Sequence, residues 1–450
     1  MRVRVCPPGA GTPRVPGMLD TSRSARRTCF WMVLTALALR LVVVSFLYPE
    51  HLNPDRDYWR FGGEAARIAA SLAEGRGYGN AQFGTTGPTA WLAPVYPLLA
   101  AAAFQLFGVH TKASAIALLS LNSLFSAMTC LPVFLLARRA FGDRAGIWAG
   151  WTWAFFPYAV FFSADLIWPT TLTTLLLTIL LLYVLRLEST QGPWSHFRFG
   201  LLSGFAALTD PIVISVLPVL AARMYFRRGR QGLRWQLPAT VMALGFLLAV
   251  APWFVRNAVT FHAFVPFRAN FGLELHIGNH GDSSHFAPVH DHPSTNEADL
   301  KAYTKLGEQA FMAAKQREAV DFIESHPAWF ARVTLRRILY MWTSFWSFDP
   351  QYQAQEPFDI PNIFLSTVMD LVALAGLYRA FRQGSYLAMP LALVMLLFPM
   401  IYYVTHWEDY YRRPIDPVFV VLASYEVWSR VQLRREAVRL LQESPASASD

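Results

Sequence analysis

The chain has 450 residues, of which 54% are hydrophobic, 15% aromatic and only 15% charged. A charged share well below the roughly 25% of soluble domains excludes an ordinary water-soluble enzyme and points to a multi-span membrane protein. The net charge of +9 does not indicate nucleic-acid binding, because the arginines gather at the ends of apolar runs, a pattern of membrane topology.

In chain order, residues 1–28 are basic and rich in Pro, Gly and Ser, and read as a disordered cytoplasmic tail leading into an uncleaved span. Apolar runs at 29–48, 113–137, 145–162, 166–185, 236–255, 363–381, 386–404 and 414–430 are long or apolar enough to be candidates for crossing a core of roughly 30 Å. Arg23, Arg26 and Arg27 keep the tail inside, so residues 49–112 form a first outer loop. Within it the segment 90–108 carries Pro94 and Pro97, which break a straight span and favour a path along the interface. The segment 199–226 is interrupted at "TDP", 209–211, and is expected to enter and leave as a broken pair shielded by protein. Residues 256–362 form the larger outer loop, with an amphipathic interfacial helix at 329–348. The spans of 363–430 follow, then a basic cytoplasmic tail, 431–450. Cys6, Cys29 and Cys130 lie in the leading tail or in spans, so no disulfide framework is expected.

Acids recur on the outer side. Asp55, Asp57 and Glu64 lie in the first loop, with Asp57 and Glu64 seven apart on one face of a helix predicted over 57–73. Asp165 and Asp210 stand at span ends. Ionisable groups at membrane depth are costly and mark a site unless paired for structure, and a carboxylate beside an acceptor hydroxyl is a candidate general base. Arg256, Arg412 and Arg413 end apolar runs on the same side, where guanidiniums bind phosphate bidentately or snorkel to headgroups. The tract "HIGNHGDSSHFAPVHDH", 276–292, holds five of the eleven histidines, but its spacing fits no ordered metal motif, and it reads as a polar, pH-sensitive lip.

The ordered motifs "GRGYG", "GPTAWLAPVYPLL", "ARRAFG", "GLLSGFAALTDP", "PWFVRN", "GLELHIGN" and "YYRRPIDP" resemble the GT-C membrane glycosyltransferases of the protein O-mannosyltransferase and aminoarabinose transferase type, over about 29–420. The resemblance implies an all-α, polytopic bundle of about 10 transmembrane helices. It implies an inverting transfer of a sugar from a polyprenyl-phosphate carrier to an acceptor hydroxyl on a protein, glycolipid or polysaccharide, at the extracytoplasmic face of the cell (inner) membrane. By position it makes Asp57 the general base, with Asp55 the alternative, and Asp165 a residue that orients the first loop. It gives Arg256 and either Arg412 or Arg413 the donor phosphate; Pro414 stands where the family has tyrosine, so the last choice stays open. No metal or cofactor is expected, and no nucleic acid. The rival class is a polytopic secondary transporter or lipid-linked sugar flippase, which should carry an internal duplication of spans; none is visible in this sequence.

Overall fold

The computed structural model describes residues 23–52, 61–188, 192–281, 292–347, 350, 353 and 359–443, and those residues are helical with a single isolated antiparallel bridge. Asp55 and Asp57 lie outside the described residues, as do His285 and His290 of the histidine-rich tract. Five helical stretches are long and apolar enough to cross a membrane: 25–47, 112–141, 170–187, 236–261 and 360–382.

Helix α1, Arg23–Leu47, opens the bundle. It buries Arg40 completely, and the guanidinium is dispersed over Ser126 Oγ at 2.9 Å and the carbonyls of Ala36, Trp153 and Ala154 at 2.9–3.2 Å. A charge without a carboxylate partner is thus tolerated inside a span through full hydrogen bonding. Helix α2, Gly63–Ala73, belongs to the first loop. Helix α3, Val95–Phe107, follows Pro94; at 13 residues it is about 20 Å long, too short to cross, in keeping with the interfacial expectation.

Helix α4, Lys112–Met128, starts on a capping box of Thr111 and Ser114, and α5, Cys130–Phe141, continues it almost without a break. The expected single span over 145–162 is instead two helices, α6, Asp143–Phe155, and α7, Pro157–Asp165, because Pro157 has no amide to continue the ladder. Helix α8, Thr170–Leu187, sinks in the core, where Thr173, Thr174 and Thr178 return their hydroxyls to carbonyls one turn back.

The broken pair is α9, Pro193–Thr209, and α10, Leu217–Arg230, joined by a 3-10 turn at Pro211–Ser215 that Asp210 caps. Helix α9 lies against α11, Gln236–Phe261, through glycines on both sides. A Cβ at Gly200 would stand 2.0 Å from Met242 O, and one at Gly245 would stand 2.4 Å from Phe197 O. With Gly204 this is the small-residue spacing that brings helix backbones into contact in lipid.

Beyond α11 come the short helix α12, Phe271–Gly278, then α13, Glu297–Leu306, α14, Glu308–Ser325, and α15, Pro327–Thr343. Helix α16, Asp359–Arg382, is the next long apolar helix. The run expected at 386–404 breaks at Phe398–Pro399 into α17, Ala388–Leu397, and α18, Met400–Val404. The last helix, α19, Asp416–Glu443, packs on α16 and α6 and extends beyond the expected end at 430.

Candidate active site

Residues 78–92 of the first loop are held from two directions. The loop closes on a bridge between Gly79 and Pro88, where a Cβ on Gly79 would lie 2.6 Å from Gly87 O. From the end of α11, Arg256 donates to Thr89 O and Tyr78 O, both at 2.7 Å, and its guanidinium lies 5.1–5.4 Å from the ring centres of Tyr78, Trp253 and Phe261. From the start of α14, the buried carboxylate of Glu308 accepts from Thr89 Oγ1, from Ala90 N at 2.7 Å and from Tyr303 OH at 2.8 Å. Burial raises the Glu308 carboxyl above its ordinary value, and these donors oppose the rise.

The loop start is fixed just as closely. Gly62, with φ +96°, abuts the segment after Asp165: a Cβ there would meet Ile167 O at 2.6 Å. The end of α7 therefore lies directly against the residues that follow the stretch holding Asp55 and Asp57. Two turns of chain from that stretch, Glu64 is buried at 2% exposure and pairs with Arg67 at 3.5 Å and His292 Nε2 at 3.3 Å. Arg67 is anchored in turn on Ala81 O at 2.7 Å and Ser294 Oγ at 2.9 Å. Burial lowers the His292 pKa against the pull of Glu64 and Glu274.

Around these residues a polar cluster gathers side chains from segments far apart in sequence. Arg268 is an electrostatic neighbour of both Asp210 and Glu274, and Glu274 interacts with Glu64, His292 and Glu408. His406, buried, donates from Nδ1 to Glu274 O at 3.3 Å and accepts from Tyr411 OH on Nε2 at 2.7 Å. This tautomer fits an imidazole whose pKa burial lowers to about 4. Tyr402 and Tyr411 stack at 4.3 Å, with Tyr410 edge-on to Tyr411 at 4.9 Å. The result is an acidic cluster beside three tyrosine rings, side chains of the kind that bind a polyhydroxylated ring by stacking and hydrogen bonding.

The cationic half differs from the sequence expectation. Arg256 spends its donors on the loop carbonyls. Arg412 makes a two-pronged pair with Asp370 at 2.7 and 2.8 Å, adds Asp416 at 3.2 Å, and is buried. Arg413 pairs with Asp416 at 3.3 Å and lies 3.7 Å over the Tyr158 ring. The cavity beside it, lined by Tyr158, Phe162, Thr170, Thr171 and Thr174, measures ≈ 20 Å³, room for a water and not for a phosphate. Arg268 also keeps donors open: its Nε donates to Trp91 O at 3.1 Å, while its terminal nitrogens have no hydrogen-bond partner among the described residues; Arg413, by contrast, is tied to Asp416 through Nη1 while its Nε is buried without a partner.

Of the predicted acids, Glu64 and Asp210 join the cluster, and Asp165 stands beside the first loop. Arg268, Glu274, His406, Glu408 and the three tyrosines were not singled out in the sequence. Glu274 lies within "GLELHIGN" and Glu408 within "THWEDYYRRP", so the signal was a motif whose acid had no visible partner. In the histidine-rich tract, His276 sits 3.6 Å from Glu318 and stacks on His280 at 5.0 Å. Among the described residues no three His, Cys, Asp or Glu are disposed to hold a metal ion.

Glu408 carries a pH signature. Burial next to Asp409 and Glu274 raises its carboxyl pKa to about 8 from 4.5. A raised acid favours folding fully below the unfolded value and loses that preference as pH rises through the folded one, at up to about 1.4 kcal/mol per pH unit in between. Glu408→Gln is therefore expected to raise Tm relative to wild type at pH 8 and to leave it nearly unchanged at pH 4.5, as read by thermal scans in detergent.

Comparison with known proteins places residues 91–255 in register with the model of the dolichyl-phosphate-mannose-protein mannosyltransferase family. No curated protein matches the chain. The archaeal oligosaccharyltransferase AglB of Archaeoglobus fulgidus, in complex with an inhibitory peptide and a dolichol-phosphate, aligns with TM-score 0.53 at 15% identity, covering 95% of this chain and 53% of that one. The apo form of the A. fulgidus oligosaccharyltransferase aligns with TM-score 0.51 at 16% identity, covering 93% and 53%. ArnT from Cupriavidus metallidurans bound to undecaprenyl phosphate aligns with TM-score 0.38 at 16% identity, covering 91% and 79%. The likeness to the oligosaccharyltransferases shows the fold, and the chain spans about half their length.

Proposed function

We propose, from the match of residues 91–255 to the dolichyl-phosphate-mannose-protein mannosyltransferase family, that this multi-pass protein transfers a sugar from a polyprenyl-phosphate carrier to an acceptor hydroxyl at the extracytoplasmic face of the cell membrane. The observation that carries the reading is the cluster of acids and tyrosines around Arg268, whose terminal nitrogens carry no hydrogen bond among the described residues. The dolichol-phosphate bound to the archaeal oligosaccharyltransferase of the same fold supports a lipid phosphate as the donor's leaving half.

The transfer is a single displacement. Asp57, or Asp55 in its place, takes the acceptor's proton as its oxygen attacks the anomeric carbon. The bond from that carbon to the phosphate oxygen breaks, its electron pair leaves with the lipid phosphate, and the configuration inverts. Arg268 holds the developing charge. Because phosphate is already a good leaving group, no second carboxyl acid is required, in contrast to glycoside hydrolysis. Asp210 and Glu274 orient Arg268, Asp165 supports the first loop, and Glu64 fixes that loop through Arg67 and His292. The acceptor is a protein hydroxyl, a glycolipid or a polysaccharide. The test is incubation of purified protein with a panel of polyprenyl-phosphate sugars and a hydroxyl-bearing acceptor extract, following release of free polyprenyl phosphate. Release with one sugar supports the reading, and no release with any rejects it.

A further inference from the structure

Helix α15 presents a surface with no role in the cluster. Its inward side is buried at Val333, Arg337, Tyr340 and Met341. Arg337 is fully covered and donates to Gly278 O, to Asn279 Oδ1 at 3.2 Å and to Val404 O at 3.1 Å. The opposite side carries two exposed arginines one turn apart, Arg332 and Arg336, alternating with Leu335 at 67% and Leu339 at 46% exposure. Neither arginine makes a hydrogen bond or ion pair with any described residue. This separates them from Arg256, Arg412 and Arg413, all committed to protein partners.

The height of this surface relative to the membrane follows from one chain of contacts. Met341 O accepts from Arg412 at 3.1 Å, and Arg412 pairs with Asp370. Asp370 lies eleven steps, about 16 Å, along the apolar helix α16 from its first residue. Met341 thus stands level with the middle of this apolar helix, and Arg336 and Arg332, five and nine residues back along α15, lie within about 8 and about 14 Å of it. The outer side of the first turns of α16 is itself greasy, with Ile360 58% and Phe364 72% exposed. Exposed leucines on a helix packed against an apolar helix, beside guanidiniums with no partner among the described residues, match the boundary between acyl chains and headgroups.

We propose that Arg332 and Arg336 form a binding site for the phosphodiester of an anionic phospholipid, with Leu335 and Leu339 resting against its acyl chains. A zwitterionic headgroup brings its own cation and competes with the guanidiniums, whereas an anionic one does not. This inference rests on the protein's place in the membrane and not on the transfer reaction.

The experiment measures Tm of the full chain in mixed micelles while phosphatidylglycerol, phosphatidylcholine or polyprenyl phosphate is added at equal concentration. Wild type is expected to gain stability with phosphatidylglycerol over phosphatidylcholine, a gain that shrinks with added salt. In R332Q/R336Q that gain is expected to vanish, with Tm in phosphatidylcholine unchanged, and R332K/R336K is expected to restore at least part of it. Equal response to the two phospholipids in wild type, or a gain that survives in the glutamine variant or at high salt, overturns the site. A gain confined to polyprenyl phosphate also overturns it, and assigns the arginines to the donor instead. If the glutamine variant does not fold, the wild-type lipid comparison and its salt dependence decide the outcome.

Discussion

Asp57→Asn is expected to insert and fold normally yet to release lipid phosphate about a thousandfold more slowly than wild type, within the 10²–10⁴ that general-base catalysis contributes. The physical ground is that the acceptor alcohol is a poor nucleophile until its proton has somewhere to go, and an amide cannot take it. Two further variants sharpen the measurement. Asp55→Asn should retain most activity if Asp57 is the base, and the reverse ranking transfers the role to Asp55. Glu64→Gln should cost far less than the base, because Glu64 already faces Arg67 and His292 and acts through the loop rather than on the substrate. Single-turnover release of polyprenyl phosphate, with thermal stability as the folding control, is the measurement. Wild-type rates in both aspartate variants would remove the first-loop acids from the mechanism.

Arg268→Gln is expected to lower kcat/KM for the lipid-linked donor by about 10²-fold, the scale of losing a charge-assisted contact to a developing oxyanion. Free polyprenyl phosphate should inhibit the variant much less than wild type, since the contact is made to the phosphate and not to the sugar. Arg256→Gln provides the contrast. Its guanidinium holds Thr89 O and Tyr78 O, so its loss should appear as a lower Tm, with product inhibition in the folded fraction kept. A variant of Arg268 that retains both donor KM and product inhibition would rule the residue out as the phosphate anchor.

Much of the architecture was legible in the sequence because lipid permits few solutions. Runs such as 29–48 and 236–255 carry no alternative to an apolar helix, and Pro94 and "TDP" announced short or broken segments by removing backbone donors. Pro157 and Pro399 carried the same information within runs read as continuous spans, where hydropathy averaged over a window masked the break. The site was legible in half. Acids stand out against an apolar background, so Glu64, Asp165 and Asp210 could be named one by one. Which arginine keeps open donors depends on partners 42 to 178 positions away: Asp370 consumes Arg412, and the carbonyls of residues 78 and 89 consume Arg256. Arg268 escaped notice because "VPFRAN" lies twelve residues past Arg256 in a connecting segment, where an arginine suggests only solubility.

The segment from Tyr78 to Ala90 hangs between two anchors of opposite sign, a carboxylate on the helices of the larger loop, Glu308, and a guanidinium rooted in a span, Arg256. The single peptide group between Thr89 and Ala90 carries both attachments, its C=O bonded to Arg256 and its N–H to Glu308. Lifting the helical cap from the bilayer would therefore load this one strip of backbone like a cable between two cleats. The cap is thereby denied the freedom of a hinged cover.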